Sequence, residues 1–318
     1  MNSFDPLDLE QREALLNSHP LRIKKFTTLT KTIELAYGMI REQIWLGRPS
    51  LYFYSTPRMG KSQCAMAIEH LINQEFSDKY VVLVSCDVSE SESIVETICK
   101  ALNFMQKSRE KLAKLRGRLT THIACELSSV LGNHFVLILD EMQALSLDDY
   151  KHLQVIQNDL KIRGIVTTTV GFAQSEINSR HSSFRLAKED AILARFLSQR
   201  IAFEGCTDEA WLQSLLKNFD EDLFYPPDSK CSYSRFFLPS AFANGFRLSN
   251  YAPVIYKAAK QAVGGASIPI PIEHLFIAIE YMLISSRMSD ADDFDLSFET
   301  IHRAIVDSNM VEFSSIFK

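Results

Sequence analysis

The sequence predicts an α/β protein in two parts: a three-layer α/β/α domain built on a mostly parallel sheet, followed by a smaller all-helical domain. Two observations carry this. Up to about residue 203, short strand-type runs alternate with segments of helical period; beyond Gly205 the strand signal fades and only helical patterns continue. Alternation of this kind buries a parallel sheet under helices on both faces, because parallel neighbours need crossover connections.

Residues 28–45 carry apolar side chains at helical spacing and stop at Gly47 and Pro49. The aromatic run 51–54 after that break reads as a first buried strand, with residues 63–72 as the helix behind it. Strands follow at 80–85 (YVVLVS), 134–139 (HFVLIL) and 164–170 (GIVTTTV), with a short fifth at 199–203. The intervening segments 91–102 and 107–131 have helical period. Helices at 208–219, 250–263, 272–286 and 298–307 make up the second part. The stretch 221–235, rich in Pro, Asp and Ser, reads as the linker, and 290–295 (DADDFD) as a solvated loop. The expected divisions are an N-terminal segment 1–27, an α/β domain 28–220 and a helical region 221–318.

The bulk numbers agree with two domains, since single cores stop growing at roughly 250 to 300 residues and this chain has 318. Apolar residues at 46% and charged residues at 23% are ordinary for a packed protein. A net charge of −5 removes the simplest sign of a nucleic-acid binder, though a local basic stripe can survive within an acidic total. The six cysteines show no CxxC pair and lie mostly in apolar stretches, which points to buried reduced thiols. No run approaches the roughly 18 apolar residues of a membrane span, and the N-terminus lacks a basic region and a signal core. The expectation is a cytoplasmic protein with no membrane partner.

A phosphate cradle needs inward-pointing backbone amides, a lysine for the outer phosphates, a hydroxyl for Mg²⁺ and a helix N-terminus behind them. Ser55, Thr56, Pro57, Arg58, Met59, Gly60, Lys61 and Ser62, with Gln63 opening the helix, supply these in order. They match GxxxxGK[ST] except that Ser55 stands at the first glycine. The second half of the site is the apolar run 135–139 ending in Asp140 and Glu141. An aspartate there can join Ser62 in holding Mg²⁺, and the adjacent glutamate can orient or deprotonate a water that attacks the γ-phosphate of ATP. On the next strand Thr169, preferred to Gln174, is the candidate sensor of the γ-phosphate. Arg180, Arg185, Arg195 and Arg200 follow. An arginine offered to a neighbouring subunit's γ-phosphate stabilises developing charge; Arg195 is the first candidate and Arg200 the second.

This order of motifs, in YFYSTPRMGKSQ, HFVLILDEMQAL, RGIVTTTVGFAQSE, ARFLSQRIAF and NGFRLSNYAPVIYKAA, resembles the AAA+ ATPases. Within them it is similar to the transposition regulators of the TniB and TnsC family, and more distantly to MuB. The resemblance implies that the helical part is a lid whose Arg247 reaches back to the nucleotide as a second sensor. It further implies a homo-oligomer, ring or helical filament, that loads on double-stranded DNA with ATP and links a target-selection protein to the transposase. Ser55, Pro57 and Phe172, the last standing where the family has a small or hydroxyl residue, depart from the pattern.

Lys107, Arg109, Lys111, Lys114, Arg116 and Arg118 put six positive charges among residues 107–118 against one negative, Glu110. Such a stripe can track DNA phosphates without reading bases, or form a solvated face that pairs with acidic neighbours; the family likeness favours DNA. Two alternatives remain open. An origin-initiator or helicase-loader ATPase shares this core but usually adds a DNA-reading domain, for which the residues after Val263 are few. A signalling P-loop ATPase that ignores DNA would suit the acidic total.

Overall fold

A computed structural model describes residues 4–86, 92–104, 110–265 and 269–316. In chain order the elements are α1 (Leu9–Leu16), α2 (Lys31–Trp45), β1 (Ser50–Ser55), α3 (Lys61–Glu75), β2 (Lys79–Ser85), α4 (Ile94–Ala101) and α5 (Leu112–Ser129). Then come β3 (His134–Asp140), α6 (Leu147–Ile162), β4 (Val166–Gln174), α7 (Ile177–Leu186), α8 (Asp190–Phe196) and β5 (Arg200–Ala202). The remainder is helical: α9 (Glu209–Glu221), α10 (Tyr233–Phe237), α11 (Pro239–Ala243), α12 (Ala252–Val263), α13 (Ile272–Ser286), α14 (Phe298–Asp307) and α15 (Met310–Ser315). No helix among the described residues is long and apolar enough to cross a membrane.

Contacts divide the chain into two compact units. One holds Ile33–Pro57 and Lys61–Phe203; the other holds the residues up to Thr32, Arg58–Gly60 and everything from Glu204. The first unit is the α/β part. Its five strands lie in the order β2-β3-β4-β1-β5, and every pairing is parallel. All of β3 up to Leu139 is buried, which is why the run 135–139 shows no polar alternation. Helix starts are set by side chains. Ser146 caps α6 in a capping box with Asp149, and the other oxygen of that carboxylate accepts the Ile94 N–H at the start of α4 at 2.9 Å. One buried acid thus ties two helix N-termini together.

The sequence ends the fourth strand at Val170, whereas β4 runs on to Gln174. Gly171 sits mid-strand for steric reasons: a Cβ there would lie 2.2 Å from Met142 Sδ and 2.9 Å from Tyr52 Cβ. Phe172 is fully buried and stacks on Phe53 at 5.3 Å, so it belongs to the core.

The helical unit has its own core, formed by α9 to α14 together with N-terminal side chains such as Leu16 and Leu21. Helix α9 and the N-terminal segment therefore pack here rather than with the sheet. The stretch expected as a linker is also packed: Phe224 bridges Ser232, and Tyr225 lies edge-on to the His19 ring at 4.7 Å. Asp220, buried on α9, accepts the N–H groups of Leu248 and Ser249 at 3.0 Å each, which fixes the turn that leads into α12. The cysteines carry free thiols, and all are buried except Cys125.

Two histidines make stability depend on pH. His19 is fully buried among Tyr225, Tyr233, Phe236 and Phe237, and burial pushes its pKa down to about 3. His134 at the start of β3 faces Thr168 Oγ1 at 2.9 Å, and burial, with Lys79 nearby, pushes it down to about 4. An unfolded chain takes up both protons near pH 6.5, while the folded chain refuses them until far lower. Stability should therefore be full above about pH 6.5 and fall below it, by up to about 1.4 kcal/mol per pH unit per group. Melting temperatures at pH 7.5 and 4.5 should differ by less in His19→Phe than in the wild type; equal differences would contradict this account.

Candidate nucleotide site

The carboxyl ends of β1, β3 and β4 bring Ser55, Lys61, Ser62, Asp140, Glu141 and Gln174 together within the α/β unit. Lys61 opens α3 and is only 5% exposed. Its ammonium donates to Thr56 O at 2.8 Å, Ser55 Oγ at 3.0 Å and Ser55 O at 3.3 Å. Burial lowers its pKa, while Glu141, Asp140 and Glu176 oppose the shift. A cation so placed, with carbonyls for partners and carboxylates only nearby, is poised to exchange them for a polyphosphate. Ser55 fits because its hydroxyl accepts from Lys61 and donates to Thr56 O at 3.0 Å. The loop turns through left-handed backbone at Arg58 (φ 62°) and Gly60 (φ 90°). Arg58 and Met59 cluster with the helical unit, where Arg58 O accepts the Glu273 N–H at 3.2 Å and the Arg58 guanidinium lies over the Phe313 ring at 5.3 Å.

At the end of β3, burial raises the Asp140 pKa, and the hydrogen bond from the Ser62 hydroxyl counters it. A hydroxyl and a carboxylate in contact are hard oxygen donors, the set that suits Mg²⁺ completed by water and phosphate. Glu141 follows in a left-handed conformation (φ 57°) and begins the short 3₁₀ turn Met142–Ala144. Its Oε2 accepts Gln174 Nε2 at 2.9 Å and also Gln143 Nε2.

Thr169 lies elsewhere. It is buried in mid-β4, level with Leu137 and Ser50, and its Oγ1 accepts Gln157 Nε2 at 3.0 Å. Five residues of strand at about 3.3 Å each separate it from Gln174, the β4 residue at Glu141. Composition could not reveal this, because the choice depends on where the strand ends. Gln143 went unremarked in the sequence, although its place beside the acidic pair was a usable signal.

Each arginine has its own setting. Arg195 donates to Asn158 Oδ1 at 2.8 Å and Gln154 O at 3.3 Å. Arg200, exposed on the edge strand β5, stacks over Tyr54 at 5.0 Å and donates to Asn178 Oδ1 at 3.0 Å. Arg180 Nε reaches Gln143 O at 3.3 Å, and Arg185 is exposed. In the helical unit Arg247 donates to Phe242 O at 2.9 Å and Phe246 O at 2.6 Å, with its guanidinium 3.7 Å from the Phe242 ring centre.

The basic stripe divides. Arg118 is held by Glu110 at 2.6 Å, a carboxylate only 3% exposed, and stacks over Phe104 at 4.6 Å. Arg116 lies 3.3 Å from His152 Nδ1. Lys111 and Lys114 are exposed at the start of α5, and Lys107 and Arg109 lie outside the described residues.

Residues 46–178 match the family model described as "AAA domain". No curated protein matches the chain by sequence. Similar solved structures include Cdc6p from Pyrobaculum aerophilum, at 13% identity over 87% of this chain and 67% of that one, with TM-score 0.53. The Aeropyrum pernix ORC1 protein in complex with DNA is 16% identical over 93% and 69% of the two chains, with TM-score 0.52. Drosophila ORC bound to DNA is 11% identical over 93% and 69%, with TM-score 0.55. At these identities the likeness is one of fold, and it agrees with the parallel five-stranded sheet and its flanking helices. Residues 46–178 of this chain therefore form an AAA-type P-loop ATPase domain.

Proposed function

We propose that the chain binds ATP with Mg²⁺ between the phosphate loop and the end of β3, hydrolyses it, and uses the nucleotide state to assemble on duplex DNA as a regulator of transposition. The observation that carries the nucleotide step is the cluster of Lys61, Ser62, Asp140 and Glu141 at the carboxyl ends of the strands. The Lys61 ammonium leaves its loop carbonyls for phosphate oxygens. Ser62 and Asp140 would hold Mg²⁺, which would supply positive charge against the phosphates. Glu141 orients and deprotonates the attacking water, and Gln174, rather than Thr169, reports on the γ-phosphate because it touches Glu141. Arg200, which is exposed, stands beside Arg195 as a candidate for a neighbour's site; each would have to leave an asparagine partner, Asn178 and Asn158 respectively. Arg247 would act as a second sensor only after leaving the carbonyls of Phe242 and Phe246.

On the DNA side, the support is the family resemblance together with the exposed Lys111 and Lys114. A second reading, an origin-initiator ATPase, is favoured by the fold likeness to Cdc6p and ORC. Electron microscopy with duplex DNA and a slowly hydrolysed ATP analogue should show DNA-bound oligomers, without sequence preference in a footprint. Monomers under those conditions contradict the proposal, a sequence-specific footprint favours the initiator, and oligomers indifferent to DNA at low salt favour a signalling ATPase. Lys111→Glu with Lys114→Glu should weaken DNA binding and flatten its salt dependence.

A further inference from the structure

We propose that Gln143 is a positioning residue for the hydrolytic step, one that holds the Glu141 carboxylate by reading the end of β4. This rests on the reading of Glu141 as the base. The register explains why a side chain is needed there. Pairing of β3 with β4 ends at Leu139 and Gly171, while β4 continues to Gln174. Beyond the paired stretch, the Gln174 N–H donates to Gln143 Oε1 at 2.8 Å. The same carboxamide gives its other end, Nε2, to Glu141 Oε2, which also accepts Gln174 Nε2 at 2.9 Å. Glu141, Gln143 and Gln174 therefore close a ring of three hydrogen bonds.

The ring permits one orientation. A backbone N–H can only donate, so it must face the amide oxygen of Gln143, which forces the NH₂ group onto the carboxylate. Reversing the amide would set its oxygen against Glu141 and its NH₂ against the Gln174 N–H, leaving two mismatches. Both donors converge on Oε2, which leaves Oε1 as the oxygen for a water.

The turn that carries Gln143 is itself pinned. Met142 is buried against Gly171, where no Cβ could fit, and Met142 O accepts from Tyr150 Oη at 3.4 Å. On the outer side Arg180 Nε donates to Gln143 O at 3.3 Å. The left-handed backbone of Glu141 is unfavourable for a non-glycine residue and persists only where its surroundings over-determine it. The ring and the pinned turn supply that determination, and they aim the base.

Gln143→Glu separates this role from a merely structural one. It keeps an oxygen to accept the Gln174 N–H, so the end of β4 stays capped, but it replaces the donor to Glu141 with a carboxylate oxygen that repels it. Gln143→Met removes both without adding charge. Single-turnover ATP hydrolysis should fall 10-fold or more in both variants, with the Kd for a non-hydrolysable ATP analogue within twofold of wild type in Gln143→Met, the variant that adds no charge. Wild-type turnover in Gln143→Glu, or a parallel loss of analogue affinity in Gln143→Met, overturns the proposal. A wild-type protein that binds the analogue but hydrolyses nothing removes the reading of Glu141 as base, and this proposal with it; normal wild-type turnover with a silent Gln143→Glu removes the proposal alone.

Discussion

Lys61→Ala should cost nucleotide affinity by about 10²- to 10⁴-fold, because a charge-assisted hydrogen bond contributes about 1.5 to 3 kcal/mol and the ammonium can make two to the outer phosphates. The expectation is stronger here than for a surface lysine. Lys61 is held by Thr56 O and both oxygens of Ser55, so it enters the complex already placed, and the affinity it supplies is not spent on ordering a long side chain. Without it the carboxylates of Asp140 and Glu141 remain beside the phosphates and lose the cation that now offsets them. Titration with a fluorescent ATP analogue in the presence of Mg²⁺ measures the effect, and a Kd unchanged from wild type would remove Lys61 from the site.

Glu141→Gln should do the opposite: retain ATP and lose turnover. A positioned general base contributes about 10²- to 10⁴-fold, and the amide is nearly the shape of the carboxylate it replaces. The substituted carboxamide could still accept from Gln174 Nε2 through its oxygen, so the local hydrogen bonding would survive in part while the ability to take a proton would not. The variant should then hold the ATP-bound assembly long enough to be isolated. Single-turnover hydrolysis beside analogue binding tests this; loss of both together would place Glu141 in binding rather than in water activation.

The two variants bear on links of different legibility. Lys61, Ser62, Asp140 and Glu141 could be read directly, since each lies at a junction that hydrophobic period reveals: the end of a fully apolar strand, or the start of an amphipathic helix. Such junctions are local, and the chemistry of a phosphate site demands those side chains there. Gln174 was weighed beside Thr169, but the sequence did not show that the strand continues past Gly171, which marks the close approach of Met142 and Tyr52. Within the basic stripe the sequence did not show which charges are paired: Glu110, the one acid among them, holds Arg118.

The sequence by itself determined the alternation that makes a parallel sheet, the helix start at Lys61 and the strand end at Asp140, because these depend on residue type within one or two turns of chain. Tertiary structure alone decided that β4 outruns β3, that Gln143 and Gln174 close on Glu141, and that Arg195 and Arg200 each donate to an asparagine, Asn158 and Asn178. Those outcomes turn on strand register and on which atoms fill the space beside a glycine, and both are set by neighbours distant in the chain.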